Sequence, residues 1–155
     1  MDLRFTDGYL EEEAQVRFSD FTENGRLQYS RCLMYFERSR FKVAEISGII
    51  EVLRNDFEGT SPAFVVTRAD IHYLRSVRIN EDGLTRKIIV RTKLILPVVS
   101  KIAFLQQLVD ELTGQVMIEA KIDTVVLIDN KMLMKYPENV LECLEHYVKI
   151  SEDQE

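Results

Sequence analysis

Residues 16–40 read VRFSDFTENGRLQYSRCLMYFERSR, and three successive patterns within them decide the fold. Residues 16–20 alternate apolar and polar side chains, which predicts a short strand with one buried face. Asn24 and Gly25 then give a turn signal. After the turn, apolar side chains recur at helical spacing as far as Ile46, which predicts one long amphipathic helix with a wide apolar face.

Beyond this helix the apolar pattern changes its period. Ser47 and Gly48 weaken or end the helix, and a further turn or two of helix is predicted before Pro62. From Pro62 onward the apolar side chains alternate, which is typical of an antiparallel strand covered on one face. The predicted inner face carries Val65, Thr67, Ala69, Ile71 and Tyr73, and the outer face carries Arg68, Asp70 and His72.

Three further strands and a closing helix are predicted from similar patterns. The strands cover residues 86–96, 102–109 and 116–128. A turn at residues 80–83 precedes the first of them, Pro97 marks a bend or a sheet edge, and Thr113-Gly114 joins the last two. Pro137 can occupy the first position of the closing helix. The apolar stripe of that helix consists of Val140, Leu141, Leu144 and Val148.

The composition indicates one cytoplasmic domain. With 155 residues, of which 46% are apolar, residues 1–150 are expected to form one domain, followed by a frayed tail at residues 151–155. We find no charged leader with an apolar segment, and no apolar run long enough for a membrane span. The net charge of −6 argues against nucleic-acid binding, which requires a concentrated positive field.

These elements together predict an α+β fold. A strand, a long helix, four longer strands and a short helix follow one another, with no internal repeat or linker. The wide apolar face of a single long helix can be buried only if a curved antiparallel sheet wraps around it. The expected architecture is therefore that of the hotdog fold.

Four segments also carry a resemblance to a known family. They are residues 16–40, FVVTRADIHYLRSVRI at 64–79, SKIAFLQQLVDELTGQVMIEAKIDTVVLID at 100–129 and MKYPENVLECL at 134–144. They resemble hotdog-fold acyl thioesterases, especially the 4-hydroxybenzoyl-CoA thioesterases and the small acyl-CoA thioesterases encoded beside Tol-Pal genes. The resemblance implies that the start of the central helix polarises the thioester carbonyl, and Tyr29 is the matching position. Gly25 matches the family glycine of the turn that aims this helix.

The chain departs from the family at the catalytic position. The family strand ends in Asp-x-Asp, and the second Asp carries the chemistry, whereas this chain has Asp20-Phe21-Thr22. A threonine hydroxyl is a weak nucleophile without a neighbouring base. Glu23 is the preferred replacement, because a longer carboxylate one residue along could reach the same space. Asp20 and Glu37 are the other candidates.

Each of these carboxylates also has a structural alternative. Glu23 could be an ordinary exposed residue of the turn. Asp20 could bond backbone N–H groups around the Asn24-Gly25 bend, which is the interpretation we favour for it. Glu37 lies in FERSR, similar to the YERAR run of the Tol-Pal-linked enzymes, and is expected to pair with one of the arginines of that run.

Other reactive side chains give weaker signals. Cys32 lies one helical turn past Tyr29, but no His or Lys lies near it in sequence, so we expect an inert thiol. Cys143, like Cys32, has no metal-type spacing and is expected to be free. His72 and His146 belong to no motif. The sequence contains no phosphate-binding loop, dinucleotide fingerprint or metal spacing, so neither a cofactor nor a metal is expected.

Basic residues are concentrated after Pro62, in what the pattern predicts to be two adjacent strands and their turn. They are Arg68, Arg75, Arg78, Arg86, Lys87 and Arg91. Such a cluster, with Arg75 and Arg78 near its centre, could bind the phosphates of coenzyme A or an acidic acyl carrier protein. The alternative is a solvated strand face. Arg26 could meet a carboxylate on the acyl group or stabilise a neighbouring acid.

Three functions follow from this sequence. The leading hypothesis is a thioester hydrolase acting on acyl-CoA or acyl carrier protein. The second is a non-hydrolytic hotdog protein that binds an acyl thioester or serves as an assembly partner. The third is dehydration, which commonly uses a His near the helix start, and none lies between Met1 and Ile71. The resemblance also implies a homodimer joined edge to edge, or a homotetramer. From the composition we expect no nucleic-acid or membrane partner.

Overall fold

The fold is a curved antiparallel sheet packed against one long helix. The computed structural model describes residues 3–14, 16–78 and 87–153. Its elements are β1 (Arg4–Thr6), β2 (Tyr9–Glu13), α1 (Tyr29–Ser47), α2 (Ile49–Asp56), β3 (Pro62–Tyr73), β4 (Ile88–Val98), β5 (Lys101–Asp110), β6 (Val116–Ile128), β7 (Lys131–Met132) and α3 (Glu138–Asp153). The strand order is β1-β2-β4-β5-β6-β3, with β7 beside β6. The turn predicted at residues 80–83 and Arg86 lie outside the described residues.

Helix α1 confirms the prediction of a long helix inside a wrapped sheet. Its inward side chains, among them Phe36 and Val43, are fully buried in the core. Gly48 ends α1 in the left-handed conformation, with φ at 82°, and α2 continues in a new direction. The α+β class and the single central helix are therefore as the sequence predicted.

The strand predicted at residues 16–20 is wrong. Phe18–Asp20 instead forms one 3₁₀ turn, and Asp20 accepts a hydrogen bond from the Arg17 amide within it. The edge of β4 is already occupied by β2, whose Leu10 pairs with Thr92. The turn joining β1 to β2 is Asp7-Gly8, with φ at 52° and 82°, a hairpin signal that the sequence reading overlooked.

The predicted faces of β3 are correct for only half of the strand. Between Val66 and Arg68 the pairing with β6 shifts register, so Thr67 is an extra, bulged residue. Ala69, Ile71 and Tyr73 lie opposite the core residues Ile122, Ala120 and Ile118, as predicted. Before the bulge the alternation is reversed, and Phe64 and Val66 face inward in place of Val65 and Thr67.

The closing helix is longer than predicted. The sequence reading ended the domain at residue 150, but α3 continues to Asp153. Ser151, which we expected to fray, is buried and donates a hydrogen bond to the Val148 carbonyl at 2.8 Å. The apolar stripe is essentially as predicted, with Val140 and Leu144 fully buried. Among the described helices, none combines the length and the hydropathy needed to cross a bilayer.

Candidate functional site around the start of helix α1

The turn before α1 is held by Thr22. The Gly25 amide donates to the Thr22 carbonyl at 2.9 Å, and the Thr22 amide donates to the Arg26 carbonyl at 2.7 Å. The Thr22 hydroxyl accepts the Arg26 amide at 3.3 Å. Gly25 has φ at 73°, which side chains other than glycine rarely adopt. Thr22 therefore closes the turn that leads into α1.

No side chain caps the start of α1. Gln28 is the N-cap residue, but its side-chain amide points away and donates to the Ser19 and Phe21 carbonyls at 3.3 Å and 3.5 Å. The first N–H groups of a helix have no partner within the helix and carry partial positive charge. The amides of Tyr29 and Ser30 are thus available, within the described structure, to an oxygen atom of a ligand.

The flank of the helix start is formed by a tyrosine pair. The rings of Tyr29 and Tyr73 lie with their centroids 4.0 Å apart and their planes at 33°. Burial raises the pKa of Tyr73, and the neighbouring Cys32 and Tyr29 add to the effect. Burial also raises the pKa of Cys32 to about 12, so its thiol is protonated near neutral pH, which agrees with the expectation of an inert thiol.

Asp20 is a buried, fully bonded carboxylate. It accepts the Tyr35 hydroxyl at 2.6 Å and the Arg17 amide at 2.9 Å, and Arg31 lies 3.5 Å from its second oxygen. Burial alone would raise the pKa of Asp20, but these donors outweigh it and lower the pKa. The backbone N–H group that the Asp20 carboxylate accepts is that of Arg17 and not one in the Asn24-Gly25 bend, so the role that we favoured for Asp20 is wrong. Asp20 organises the loop below the helix start.

The other two candidate carboxylates lie apart from each other. Glu23 is exposed in the turn beside Thr22. Glu37 is also exposed, eight residues into α1. At 1.5 Å per residue, it lies roughly 12 Å along the helix axis from Tyr29. Glu37 is therefore too far from the helix start to act on the same carbonyl within one chain.

The predicted basic cluster is only partly one surface. Strands β3 and β4 are separated by β6 and β5, so the prediction that they are adjacent is wrong. Arg68 instead pairs with Asp70 at 3.2 Å, and Arg91 pairs with Glu11 at 3.1 Å. The sequence reading failed here because alternation shows strands but not their order.

Two of the predicted arginines do lie beside the helix start. The backbones of Arg26 and Arg78 form an antiparallel bridge, and the Leu27 amide donates to the Val77 carbonyl at 2.8 Å. Both arginines are exposed, and Arg75, three residues before Arg78, is exposed as well. The turn with Thr22, the uncapped amides and the Arg26–Arg78 bridge thus lie together at the candidate site.

Both histidines lie outside this site on the surface of the chain. His72 is exposed on β3 opposite Glu119, and His146 is exposed on α3. Within the described ranges, no group of three or more His, Cys, Asp or Glu side chains is arranged to hold a metal ion.

Sequence reasoning missed a buried polar chain beneath α1. Arg40 donates to Gln106 Oε1 at 2.9 Å, and Gln106 Nε2 donates to Thr92 Oγ1 at 2.9 Å. The Thr92 and Ser39 hydroxyls lie 2.6 Å apart, and Ser39 donates to Glu12 at 3.0 Å. The available signal was the presence of polar side chains at inward positions of two apolar strands.

This polar chain joins two cavities on opposite sides of α1. One cavity, of about 190 Å³, is lined by Glu12, Tyr35, Ser39 and neighbouring residues. The other, of about 60 Å³, is mostly apolar. Its lining consists of Glu37, Arg40, Phe41, Ala44, Phe64, Val66, Phe104 and Thr124.

No protein-family model and no curated protein matches the chain. Among solved structures, it is similar to YbaW, a probable thioesterase from Escherichia coli, at 22% identity and a TM-score of 0.73, covering 89% of this chain and 98% of YbaW. A thioesterase from Thermus thermophilus complexed with coenzyme A and Zn matches at 18% identity and a TM-score of 0.70, covering 97% and 100% of the two chains. A hypothetical protein from Staphylococcus aureus in complex with CoA matches at 11% identity and 0.74, covering 96% and 89%. The chain therefore has the hotdog fold, and its function must be argued from the site.

Proposed function

We propose that this protein is a thioester hydrolase acting on acyl-CoA or on acyl carrier protein. The observation that carries the proposal is the start of α1, where no side chain occupies the N-terminal amides and an exposed carboxylate lies in the preceding turn. These amides would bind the carbonyl oxygen as negative charge develops on it. The structurally similar proteins from Thermus thermophilus and Staphylococcus aureus were solved with coenzyme A, which supports this substrate class.

Glu23 is the proposed general base for the attacking water. Asp20 is a poor candidate, because both of its oxygens are engaged and its pKa is lowered. Glu37 is too far along the helix from Tyr29. Glu23 remains, exposed beside Thr22 and with no hydrogen bond to a described side chain.

A thiol-release assay with acyl-CoA of several chain lengths tests both parts of this mechanism. We expect Glu23→Gln to lower kcat by about 100-fold or more, which is the usual contribution of a general base. Thr22→Asp should preserve or raise kcat, because it restores a carboxylate at the position used by the resembling family. Glu45→Gln, at an exposed position near the far end of α1, is the matched control and should leave kcat unchanged. An active wild type with a harmless Glu23→Gln change would refute the assignment of the base.

A non-hydrolytic, thioester-binding protein is the second candidate. The observation that favours it is that Thr22 is already used in the turn, where its hydroxyl accepts the Arg26 amide. In that case the wild type should release no thiol from any acyl-CoA or acyl carrier protein, while Thr22→Asp gains activity. That outcome would exclude hydrolysis by the wild type. It would still support binding of the thioester carbonyl at the start of α1.

Arg26, Arg75 and Arg78 are proposed to bind the anionic carrier. Their support is the pairing of the Arg26 and Arg78 backbones next to the helix start. Arg75→Glu combined with Arg78→Glu should weaken binding of CoA or carrier protein at low salt, with little change in Tm. Arg68→Glu, at a side chain that pairs with Asp70 on β3, serves as control. If the double variant and the wild type bind with equal affinity, these arginines form a solvated face and do not bind the carrier.

A homodimer is proposed through the edge of β3. This edge strand is 12 residues long and exposes Val65 at 38%, whereas the opposite edge, β1, has only 3 residues. Long exposed edges with apolar side chains are usually paired. Light scattering at micromolar concentration should give a dimer or tetramer, and Val65→Lys should shift it toward monomer. A monomeric wild type would refute this arrangement.

A further inference from the structure

The cavity of about 60 Å³ beside the middle of α1 contains a polar pair within an apolar lining. Arg40 and Glu37 are its charged lining residues, and the aromatic rings of Phe41, Phe64 and Phe104 form much of the rest. Ligand cavities are typically apolar with a few polar groups that fix orientation. The Arg40 and Glu37 pair is therefore the part of this cavity that can select a ligand by hydrogen bonding.

Arg40 has hydrogen-bonding capacity left over. Its guanidinium makes one hydrogen bond to a described side chain, from Nη1 to Gln106 at 2.9 Å, although an arginine offers five N–H donors. Burial lowers the pKa of Arg40, and the nearby negative charge of Glu37 counteracts the effect. The two side chains are close enough to interact electrostatically, yet they form no ion pair within 4.0 Å. A small polar group can be bound between them.

The chemistry of the pair defines this polar group. Arg40 can only donate hydrogen bonds, and ionised Glu37 can only accept them. A carboxylate between them would be attracted by Arg40 and repelled by Glu37. A hydroxyl satisfies both, because its oxygen accepts from Arg40 while its proton is donated to Glu37.

The distance from the helix start defines where the hydroxyl lies on the ligand. Glu37 and Arg40 are eight and eleven residues past Tyr29, so they lie roughly 12–16 Å along the helix axis from the proposed carbonyl position. Between them and the helix start, the surface of α1 exposes Leu33 at 44% and Met34 at 36%, which offer apolar contact for methylene groups. A short acyl group or a single ring cannot span this distance.

We infer that Arg40 and Glu37 bind a hydroxyl group far along the acyl chain, so that the protein selects long hydroxylated acyl thioesters. This inference rests on the proposed function, since it takes the thioester carbonyl to lie at the start of α1. It adds a specificity determinant on α1 about three helical turns from the chemistry.

Binding of non-hydrolysable CoA thioethers tests this inference without requiring turnover. The probes are a long alkyl thioether, the same chain with a terminal hydroxyl, and the same chain with a terminal carboxylate, compared by calorimetry. We expect the hydroxylated probe to bind about tenfold more tightly than the plain probe, as for a hydrogen bond to a charged group. The ratio should approach one in Arg40→Met. Equal binding of the plain and hydroxylated probes, or tightest binding of the carboxylate probe, would overturn the inference.

Because Arg40 also supports Gln106, a second variant protects the test against a folding defect. Glu37→Leu changes an exposed side chain and should also reduce the preference for the hydroxylated probe. Arg38→Leu, an exposed neighbour that lines the opposite cavity, is the matched control and should leave the preference unchanged. If Glu37→Leu and Arg38→Leu behave alike, the inference fails.

Hydrolysis of plain acyl-CoA, measured separately, distinguishes this failure from failure of the proposed function. Turnover without a preference among the probes would overturn the specificity alone. A clear preference without turnover would overturn only the hydrolase. Absence of binding of all three probes would overturn both.

Discussion

Asp20 and Glu12 are carboxylates that bond Tyr35 and Ser39, one turn apart on α1, and their pKa values move in opposite directions. Burial is the largest effect on both and raises both pKa values. At Asp20 it is outweighed by the Tyr35 hydroxyl at 2.6 Å, the Arg17 amide at 2.9 Å and the charge of Arg31, so the pKa falls. The comparison shows that the supply of donors, and not burial alone, decides which carboxylate is held ionised.

Glu12 has fewer donors to compensate its burial. It accepts the Ser39 hydroxyl at 3.0 Å, and the charge of Lys42 also favours its ionised form. These effects do not offset the loss of water, and its pKa is raised. The two carboxylates should therefore respond to substitution and to pH in different ways.

The largest effect is expected for Asp20→Ala. The substitution leaves the Tyr35 hydroxyl, the Arg17 amide and Arg31 without their acceptor, and unsatisfied buried donors should cost about 2–4 kcal/mol of the free energy of unfolding. Urea denaturation at pH 7 measures this loss. Asp70→Ala, which removes an exposed carboxylate paired with Arg68, is the control and should change stability little. Similar losses in the two variants would show that the bonds of Asp20 add no stability.

Tyr35→Phe should give the next largest effect. It removes the shortest of the donors to Asp20, so we expect a loss of about 1–2 kcal/mol and a higher Asp20 pKa. A carboxylate whose pKa is lower in the folded than in the unfolded state stabilises the fold at pH values above the unfolded pKa, near 3.9. This stabilisation is lost as the pH falls through the folded pKa. The variant should therefore show a weaker loss of stability on acidification. Unfolding curves at neutral and acidic pH provide the measurement. Equal losses of stability in the wild type and the variant on acidification would contradict the prediction.

Glu12→Gln should change the free energy of unfolding by less. The pH dependence contributed by Glu12 should be opposite in sign to that contributed by Asp20. A carboxylate whose pKa is higher in the folded than in the unfolded state stabilises the fold at pH values below the unfolded pKa, near 4.3. That contribution is lost as the pH rises through the folded pKa. Glutamine is neutral and can still accept from Ser39, so the variant should match or exceed the wild-type stability at pH 7 by up to about 1 kcal/mol. Melting temperatures across this pH window provide the measurement. A clear loss of stability at pH 7 would show that the charge of Glu12 is needed.

The smallest effect is expected for Arg31→Met. The Arg31 guanidinium is partly exposed and lies 3.5 Å from Asp20, so the pair should contribute about 0.2–1 kcal/mol. Added salt should reduce the difference between the two proteins. A loss comparable with that of Asp20→Ala would mean that the ion pair, and not the hydrogen bonds, holds the loop.

The sequence predicted the elements with strong periodicity and missed features that depend on strand neighbours. Helix α1 and strand β6 carry long regular patterns and were predicted well. The distance between β3 and β4 could not be predicted, because it is set by which strands pair. The 3₁₀ turn at Phe18–Asp20 was missed for a similar reason, since alternation in residues 16–20 does not show that β2 already occupies the edge of β4.

The turn and the helix at the candidate site were predicted, but the buried side-chain bonds were not. The turn at Gly25 is visible in sequence, whereas Tyr29 was assigned to the helix start by the resemblance to thioesterases. The partners of Asp20 were not visible, because Tyr35 reaches it from nearly two turns into the helix. The chain from Arg40 to Glu12 joins residues from four elements, and no local pattern indicates it.

The extra residue at Thr67 lets both halves of β3 face α1, although the inward side chains change from even to odd positions along the chain. Because side chains alternate along a strand, deletion of Thr67 would remove the bulge and leave Phe64, Val66, Ala69 and Ile71 on one regularly alternating inner face. Deletion of Val65 would instead make Phe64 and Val66 adjacent, so that one of them turned outward. Thr67 is therefore a position within β3 at which the loss of one residue should be tolerated.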